Sequence, residues 1–314
     1  MLGAVFLVFS VVKVGVIGCD TSHALEFTKI INIQKPAFAD GLRLTHAYKY
    51  GSRDIVSCTN AYEFNIPRME GMGVKMVASI DELLASVDVV CLETCDGRAH
   101  PEQAEQVFKT GKRVFIDKPI GASWADARRI YELGRRYKAT YFTSSALRYS
   151  DAQQECRNGK YGKIKGAYYF APSPIECQGT HARYTWYGIH GFEPLVTVMG
   201  TGIESVRAWN SGKVDEIQLK WKDGRLGTLR LNQESWVYGG YAFYDNEKAP
   251  VMLDGYDGYM KLLERICKFF KDGVVPVSHE ETMEIFAAME AAERSIKECG
   301  REVRLTEVMG GMAI

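Results

Sequence analysis

The segment GVIGCDTSHALEF carries residue types that could bind a phosphate group. A dinucleotide-binding fingerprint would read GxGxxG from Gly18, but Asp20 occupies its second glycine position and His23 its third. A carboxylate at position 20 would hold the backbone away from a pyrophosphate and repel it. Thr21 and Ser22 still offer hydroxyls and amides, and His23 can donate a hydrogen bond. The segment therefore predicts either an altered phosphate site or a helix cap without a ligand.

The elements that must position this segment follow from an alternation of short apolar runs with amphipathic stretches, which starts at Lys13. Six strand-like runs separated by helices predict a parallel, doubly wound, Rossmann-like sheet. In such a sheet the turn after the first strand lies at the ligand-binding crevice, and the next helix presents its positive N-terminus there.

Several helix boundaries can be predicted from local residues. The tetrapeptide SIDE at Ser79 is typical of a helix start, and the segment HPEQAEQVFKTG places Pro101 in a first turn and Gly111 at a helix end. Between residues 50 and 74, Pro67 and several glycines favour a loop with a short, irregular helix.

After Ala146 the pattern changes to strand-like runs, two of which flank KDGR, where the Asp-Gly step favours a tight hairpin. Two helices are predicted to follow, and Ser278 in SHEE is typical of the start of the second one. The predicted fold class is α/β: a parallel Rossmann-like domain over residues 1–146, then an α+β domain with a largely antiparallel open sheet over residues 147–314.

Composition excludes several classes of protein. The chain has 314 residues, is 46% hydrophobic, and has 39 basic and 39 acidic residues, so it is neither disordered nor drawn as a whole to nucleic acid or an anionic membrane. Its eight cysteines form no CxxC pair, which favours reduced thiols and a cytoplasmic location. The sequence also lacks closely spaced pairs of metal ligands, so it does not predict a metal site.

The chain starts with an apolar run, MLGAVFLVFSVV. The run is too short to cross a bilayer and lacks the basic region and cleavage site of a signal peptide. It predicts a poorly structured start that leads into the first strand, with a degenerate membrane anchor as the alternative.

The segment from Asp88 to Tyr137 resembles the glucose-fructose oxidoreductase and inositol dehydrogenase family (Gfo/Idh/MocA) of NAD(P)-dependent oxidoreductases. The resemblance continues in family order over nearly the whole chain. Five features carry the resemblance. They are His100, which opens a helix; Asp117-Lys118-Pro119, which ends a strand; Arg148 after the sixth strand; a turn at Gly162; and the Gly-x-His segment Gly188-Ile189-His190.

The resemblance implies a division of catalytic roles. Lys118 would lie beside the nicotinamide and the substrate hydroxyl, and His190 would serve as acid or base in a hydride transfer. Asp117 would stand in for the family's glutamate. The implied cofactor contacts are Gly18, Asp20, Thr21, Ser22, His23, Ser52, Arg53, Glu93, Thr94, His100, Asp117 and Lys118. The cofactor is NAD or NADP, and Ser52 and Arg53 after the second strand favour the 2′-phosphate of NADP.

The predicted substrate contacts are Arg148, Tyr187, His181, Arg183 and Trp186. Trp186 stands where the family commonly has an aspartate that partners the catalytic histidine. His190 therefore needs another orienting group, either Glu193 or the hydroxyl of Tyr184 or Tyr187. Trp186 itself is either a stacking platform for a sugar ring or plain packing.

The expected function is oxidoreduction between NAD(P) and a secondary alcohol or ketone of a sugar, polyol or related small molecule. One alternative is a lyase or glycosidase that uses tightly bound NAD(P) in a transient redox cycle. Another is a non-catalytic ligand-binding protein on the same fold. The aromatic run YGGYAFYD predicts a sheet face that is buried in a homodimer or homotetramer. Neither nucleic acid nor a membrane is an expected partner.

Overall fold

A computed structural model describes residues 11–174, 180–245 and 249–310. The first ten residues of the apolar run lie outside the described residues, and so does Cys177, one of the cysteines predicted to be reduced. The described chain forms one six-stranded sheet and one seven-stranded sheet. None of its helices is long and apolar enough to cross a membrane.

The first sheet is parallel throughout, with strand order β3-β2-β1-β4-β5-β6, which confirms the predicted doubly wound fold. The central strands are buried apolar runs, as expected for a sheet covered on both faces. The strands are β1 (Val12–Ile17), β2 (Leu42–Tyr48), β3 (Lys75–Val77), β4 (Val89–Leu92), β5 (Val114–Ile116) and β6 (Tyr141–Phe142). The helices are α1 (Ser22–Lys29, continued by a π-helical turn, Ile30–Gln34), α2 (Val56–Gly71), α3 (Ile80–Ser86), α4 (His100–Phe108) and α5 (Trp124–Tyr137), with a 3₁₀ turn over Ala37–Ala39.

Local sequence signals predict the start of α3 correctly and underestimate the length of α2. The Ser79 hydroxyl accepts a hydrogen bond from the Glu82 amide at 3.1 Å, which confirms the cap of α3. Between residues 50 and 74 the sequence predicts a loop with a short, irregular helix, but α2 is a long helix of 16 residues that contains Pro67. Asn65 explains part of this difference, since its amide donates to the carbonyls of Cys19 and Thr21 at 2.9 and 2.7 Å. Tertiary contacts thus override the local propensity.

The second sheet is largely antiparallel, as predicted, with order β12-β11-β7-β10-β9-β8-β13, in which β7 and β10 pair in parallel. Its strands are β7 (Ile164–Pro172), β8 (Ile203–Ser211), β9 (Val214–Trp221), β10 (Leu226–Asn232), β11 (Gly239–Tyr244), β12 (Val251–Leu253) and β13 (Val303–Arg304). The remaining helices are a 3₁₀ turn over Ala146–Tyr149, α6 (Asp151–Arg157), α7 (Ile189–Met199), α8 (Met260–Asp272), α9 (His279–Lys297) and α10 (Leu305–Met309).

Two predicted signals in the second half are confirmed. β9 and β10 form a hairpin at the Asp-Gly step, where Gly224 has a φ of +87° that favours glycine. The Ser278 hydroxyl accepts from the Glu281 amide at 3.1 Å and caps α9.

The last third of the chain returns to the first sheet. Helix α8 packs Leu262, Ile266 and Phe269 into the apolar cluster that contains Phe115 and Phe142 of the parallel sheet. The rings of Phe142 and Phe269 are 4.9 Å apart at an angle of 80°. One face of the parallel sheet is therefore covered by a helix from the other half of the chain, and the predicted boundary at residue 146 stays a prediction.

Arg148, a predicted substrate contact, is buried in a network of ion pairs and does not line the cleft described below, so its contact with substrate stays a prediction. Its side chain is 2% exposed, and its guanidinium donates to Glu193 of α7 and Glu281 of α9, both at 2.6 Å. Glu281 also pairs with Arg157 of α6 at 2.7 Å. The network joins three helices to the 3₁₀ turn that follows the parallel sheet.

We expect Arg148→Met to lower the free energy of unfolding by about 3 kcal/mol, because Glu193 and Glu281 would keep buried charges without a full set of partners. Urea unfolding followed by circular dichroism measures this. Arg129→Met is the matched control, since Arg129 forms an exposed pair with Glu102, and the loss there should be under about 1 kcal/mol. Equal losses in the two variants would contradict a structural role for Arg148.

Candidate active site

A cleft of about 320 Å³ opens at the carboxyl edge of the parallel sheet, between that edge and helix α7. Parallel strands commonly bind ligands at this edge. The cleft also receives tyrosines from the segments around β11 and α8, namely Tyr238, Tyr256 and Tyr259. Of the predicted site residues it brings together Asp20, Thr21, Ser22, His23, Asp117, Lys118, Tyr187 and His190.

Lys118 follows β5 and reaches the wall of the cleft that Tyr187 forms. Its ammonium nitrogen is 5.7 Å from the centre of the Tyr187 ring, and the Lys118–Pro119 peptide bond is cis. Burial alone would lower the pKa of Lys118, but the adjacent Asp117 carboxylate raises it above its usual range. Lys118 therefore supplies a positive charge to the cleft at neutral pH.

His190, in the first turn of α7, faces the same part of the cleft. Its ring lies edge-on to the Tyr187 ring at 4.9 Å, and the Tyr238 hydroxyl donates to the Tyr187 hydroxyl at 3.2 Å. Burial, together with the positive charge of Lys118, lowers the pKa of His190 well below its usual value. His190 is therefore neutral at neutral pH and can accept a proton.

Ser145 orients His190, a role that the sequence analysis missed. The Ser145 hydroxyl lies 2.8 Å from His190 Nδ1, and the Ser145 amide donates to Glu193 at 2.8 Å. Glu193, one of the predicted orienting groups, therefore contacts His190 only through Ser145. Tyr184, another predicted orienting group, donates its hydroxyl hydrogen bond to Asp215 at 3.1 Å instead. No local signal distinguishes Ser145 from the other serines in TSSALRYS.

Asp20 ties together three loops at the carboxyl edge. One carboxylate oxygen accepts from the Ser52 amide and the other from the Cys95 amide, both at 3.0 Å. Burial raises the pKa of Asp20 to about 6, although these two amides lower it. Gly18, with φ +92°, passes so close to the β4 loop that an added Cβ would lie 2.4 Å from the Thr94 nitrogen. Gly18 thus serves loop packing.

A second, more open cavity of about 690 Å³ lies beyond Asp20, after β2. Ser52 and Arg53 line it, and so does Arg98. Arg98 is held by Asp96 at 2.5 Å and by Asp54 at 2.7 Å. Arg53 is exposed and forms no ion pair among residues 11–174, 180–245 and 249–310.

The two cavities fit the two halves of a dinucleotide. The N-terminus of α1 lines the first cavity with Thr21, Ser22 and His23. The Thr21 hydroxyl accepts a hydrogen bond from the Ala24 amide at 3.2 Å, and the helix would present its positive end to a phosphate there. NAD(P) would be held with its adenosine toward Arg53 and its nicotinamide toward Lys118. Asp20 is the point of conflict, because its carboxylate lies at the position where glycine would admit the pyrophosphate.

His23, Glu93 and Asp117 form a buried cluster beneath the cleft. His23 Nδ1 is 2.9 Å from Asp117 and 3.6 Å from Glu93. Burial would lower the pKa of His23, but the Asp117 and Glu93 carboxylates raise it to about 10. Burial and the Asp117 charge raise the pKa of Glu93 to about 7, and the proximity of His23 lowers the pKa of Asp117 despite its burial.

Thr94 and His100, both predicted cofactor contacts, are buried and do not line the cleft. The Thr94 hydroxyl donates to Gln103 at 2.8 Å. The His100 ring nitrogens lie 2.7 Å from the Thr94 carbonyl and 3.2 Å from the Ile120 carbonyl. Both side chains therefore fix the loops after β4 and β5.

Three further predicted substrate contacts, like Arg148, lie outside the cleft. The His181 ring accepts a hydrogen bond from the Gly97 amide at 3.1 Å. Arg183 pairs with Asp215 at 2.9 Å. Trp186 packs with Ile55 and Cys58 and is 8% exposed, which favours plain packing over a stacking platform. Of the predicted substrate contacts, the structure places Tyr187 in the cleft.

Comparisons with known proteins agree with this architecture. Residues 12–145 match the model of the oxidoreductase family with an NAD-binding Rossmann fold, Gfo/Idh/MocA. The chain is 26% identical over 294 residues to myo-inositol 2-dehydrogenase of Thermotoga maritima, a match that covers 77% of this chain and 87% of the relative.

Two solved structures share the fold. A probable dehydrogenase from Thermotoga maritima superposes with a TM-score of 0.73 at 21% identity, covering 95% of this chain and 100% of that one. Scyllo-inositol dehydrogenase from Lactobacillus casei, with bound NAD(H) and scyllo-inositol, gives a TM-score of 0.71 at 13% identity, with coverage of 95% and 100%. Together with the parallel sheet and the cleft at its carboxyl edge, these matches support a Gfo/Idh/MocA-type NAD(P)-dependent oxidoreductase, with the family match itself spanning residues 12–145.

Proposed function

We propose that the protein transfers a hydride between NAD(P) and a secondary alcohol or ketone of a polyol or sugar-like molecule. The observation that carries this proposal is the convergence of Lys118 and His190 on Tyr187 in one cleft. One group is cationic and the other neutral, which is the pairing that alcohol oxidation requires.

The two groups divide the work on the substrate hydroxyl. When bound, the nicotinamide accepts the hydride in the oxidation direction and donates it in reduction. His190 takes the hydroxyl proton: with Nδ1 protonated and donating to Ser145, its Nε2 lone pair is the acceptor. Lys118 stabilises the negative charge that develops on the substrate oxygen. Glu193 fixes Ser145 and so restricts the imidazole to one orientation.

The lining of the cleft supports a polyhydroxylated substrate. Tyr187, Tyr238, Tyr256 and Tyr259 contribute ring faces and hydroxyls, and the Tyr259 hydroxyl lies 2.8 Å from the Ser22 hydroxyl. Aromatic faces suit the C–H surface of a sugar-like ring, and hydroxyls suit its alcohols. Two of the structural neighbours are inositol dehydrogenases with bound inositol.

The proposal is tested first by titrating NAD, NADP and their reduced forms into the purified protein. Tryptophan fluorescence and the thermal midpoint report binding, and a panel of inositols, sugars and their keto forms is then assayed by nicotinamide absorbance. Saturable binding and turnover of one polyol class support the proposal. A folded protein that binds none of the four nucleotides contradicts it and favours a non-catalytic binder.

We expect His190→Asn to lower kcat by roughly 100-fold or more, because it removes the proton acceptor. The Kd for the nucleotide should stay within about threefold, since binding does not use the imidazole. Steady-state kinetics and fluorescence titration measure the two quantities. Tyr184→Phe, which removes a nearby hydroxyl outside the cleft, is the control and should keep its kcat. A fully active His190→Asn enzyme would contradict the assigned role.

We propose that NADP is preferred over NAD. Arg53 and Ser52 line the outer cavity, where the adenosine ribose would lie. Arg98 is committed to Asp54 and Asp96, so the exposed Arg53 is better placed to meet an added phosphate.

We expect Arg53→Ala to weaken NADP binding about tenfold, because a charge-assisted contact to the 2′-phosphate is lost, and to change the Kd for NAD by less than threefold. Fluorescence titration of both nucleotides measures the ratio. Arg43→Ala is the control, since Arg43 is also exposed but lies on β2 away from the outer cavity. An unchanged NADP:NAD ratio in Arg53→Ala would argue against the preference.

We propose that the outer face of the second sheet is buried against a second copy of the chain. Strand pairing places Tyr168, Tyr241 and Met252 side by side on this face, with Phe243 beside them on β11. Tyr241, Phe243 and Met252 are 39%, 40% and 67% exposed. Adjacent exposed apolar side chains of this kind are typical of a subunit interface.

We expect Met252→Glu to shift the protein toward monomer, because a charge would be buried in the interface. Size-exclusion chromatography with light scattering gives the mass. Val274→Glu is the control, since Val274 is 63% exposed but lies after α8, away from this face. A wild-type monomer at micromolar concentration would contradict the proposal.

A further inference from the structure

The buried cluster of His23, Glu93 and Asp117 brings together three possible ligand atoms from three neighbouring loops. His23 lies in the first turn of α1 after β1, Glu93 follows β4, and Asp117 follows β5. These strands are adjacent in the sheet. The imidazole nitrogen and the carboxylate oxygens all lie within 4.8 Å of one another.

The cluster is also incompletely satisfied. His23, Glu93 and Asp117 are 5%, 0% and 1% exposed. Within the described part of the chain, neither carboxylate oxygen of Glu93 has a hydrogen-bond partner, and His23 Nδ1 makes its 2.9 Å ion-pair contact with Asp117 without hydrogen-bond geometry. Buried polar atoms are nearly always paired, with protein, water or an ion. The Glu93 carboxylate is aimed at His23, so a group placed between them would satisfy both.

We propose that His23, Glu93 and Asp117 bind one divalent first-row transition-metal cation, of the class of Zn²⁺ or Mn²⁺. Two carboxylates balance the charge of such a cation when the imidazole is neutral. Metal–ligand distances of about 2.0–2.2 Å place neighbouring donors roughly 3–4 Å apart. The 2.9 and 3.6 Å separations from His23 are close to this spacing. The imidazole favours these metals over Mg²⁺ or Ca²⁺.

The position of the cluster leaves one side open. His23 and Asp117 line the cleft, whereas Glu93 is fully buried behind them. Three protein ligands with an open fourth position are typical of a metal that meets an exchangeable ligand. The Phe27 ring stacks on the His23 ring at 5.1 Å and the Tyr259 ring packs edge-on at 4.5 Å, so the imidazole is held in place.

Lys118 is a positively charged neighbour whose charge would weaken the binding of a cation at this site. Its backbone amide donates to Asp117 at 2.7 Å, and its side-chain charge is felt by the same carboxylate. Metal binding here does not rest on the proposed dehydrogenase function, and it can be measured without nucleotide or polyol.

The test uses the full chain, stripped with a chelator and dialysed. Isothermal titration with ZnCl₂ and with MnCl₂ gives stoichiometry and affinity, and electron paramagnetic resonance follows the loss of the free Mn²⁺ signal. We expect one equivalent to bind the wild type. Glu93→Gln, which keeps the side-chain shape, should weaken binding roughly 100-fold.

Glu284→Gln is the matched control, because Glu284 is a half-buried carboxylate outside the cleft that accepts hydrogen bonds from the Gly202 and Ile203 amides. It should bind metal as the wild type does. Asp117→Asn is a second variant with the same expected loss, and circular dichroism confirms that each variant is folded. A stripped wild type that binds neither cation, or folded Glu93→Gln and Asp117→Asn variants with unchanged affinity, would overturn the proposal and leave a cluster held by protons alone.

Discussion

The site depends first on the carboxylate of Asp20, which holds the loops after β1, β2 and β4 at one point. Its two oxygens take the Ser52 and Cys95 amides, and the Ser52 hydroxyl continues the chain of bonds by donating to Asp96 at 2.9 Å. Backbone amides at this edge are the groups that recognise phosphate in dinucleotide folds. Here an internal carboxylate occupies two of them, so the crevice is divided into an inner and an outer space. A dinucleotide that occupied both spaces would have to pass over Asp20.

On the opposite wall of the cleft, one carboxylate organises both structure and chemistry. Glu193 accepts hydrogen bonds from the Ser145 amide, the Ser144 hydroxyl and the Arg148 guanidinium. The bond to Arg148 belongs to the helix network, whereas the bond to Ser145 fixes the partner of His190. Stability and orientation of the imidazole are thus coupled through a single buried group. A family aspartate at position 186 is unnecessary for this arrangement, because Ser145 reaches His190 from another loop.

The fold could be predicted from the sequence to the extent that its signals are local. Strand alternation and the Asp-Gly hairpin needed no distant partner, whereas the length of α2 was underestimated because its stability includes the contacts of Asn65 with the β1 loop. The same limit applies to the site. Arg148 and Arg183 have the residue type of substrate contacts, but they form ion pairs with Glu281 and Asp215, which are 133 and 32 residues away. Lys118 and His190 were found through family resemblance, since a lysine or histidine alone carries no positional signal.

Asp20 and His23 stand at two positions of the turn after β1 where the dinucleotide fingerprint has glycine. Asp20 and His23 are 2% and 5% exposed, so both side chains occupy space that a glycine turn leaves to a ligand. Asp20 binds amides, and His23 extends to the carboxylates after β4 and β5. Where the fingerprint would offer bare backbone, this turn places two polar side chains, and His23 reaches the carboxylates that follow the two neighbouring strands. Asp117, one of these carboxylates, also raises the pKa of Lys118, whose ammonium faces the Tyr187 ring. The two departures from the fingerprint therefore change the charged groups at this edge of the cleft as well as the backbone that a phosphate would meet.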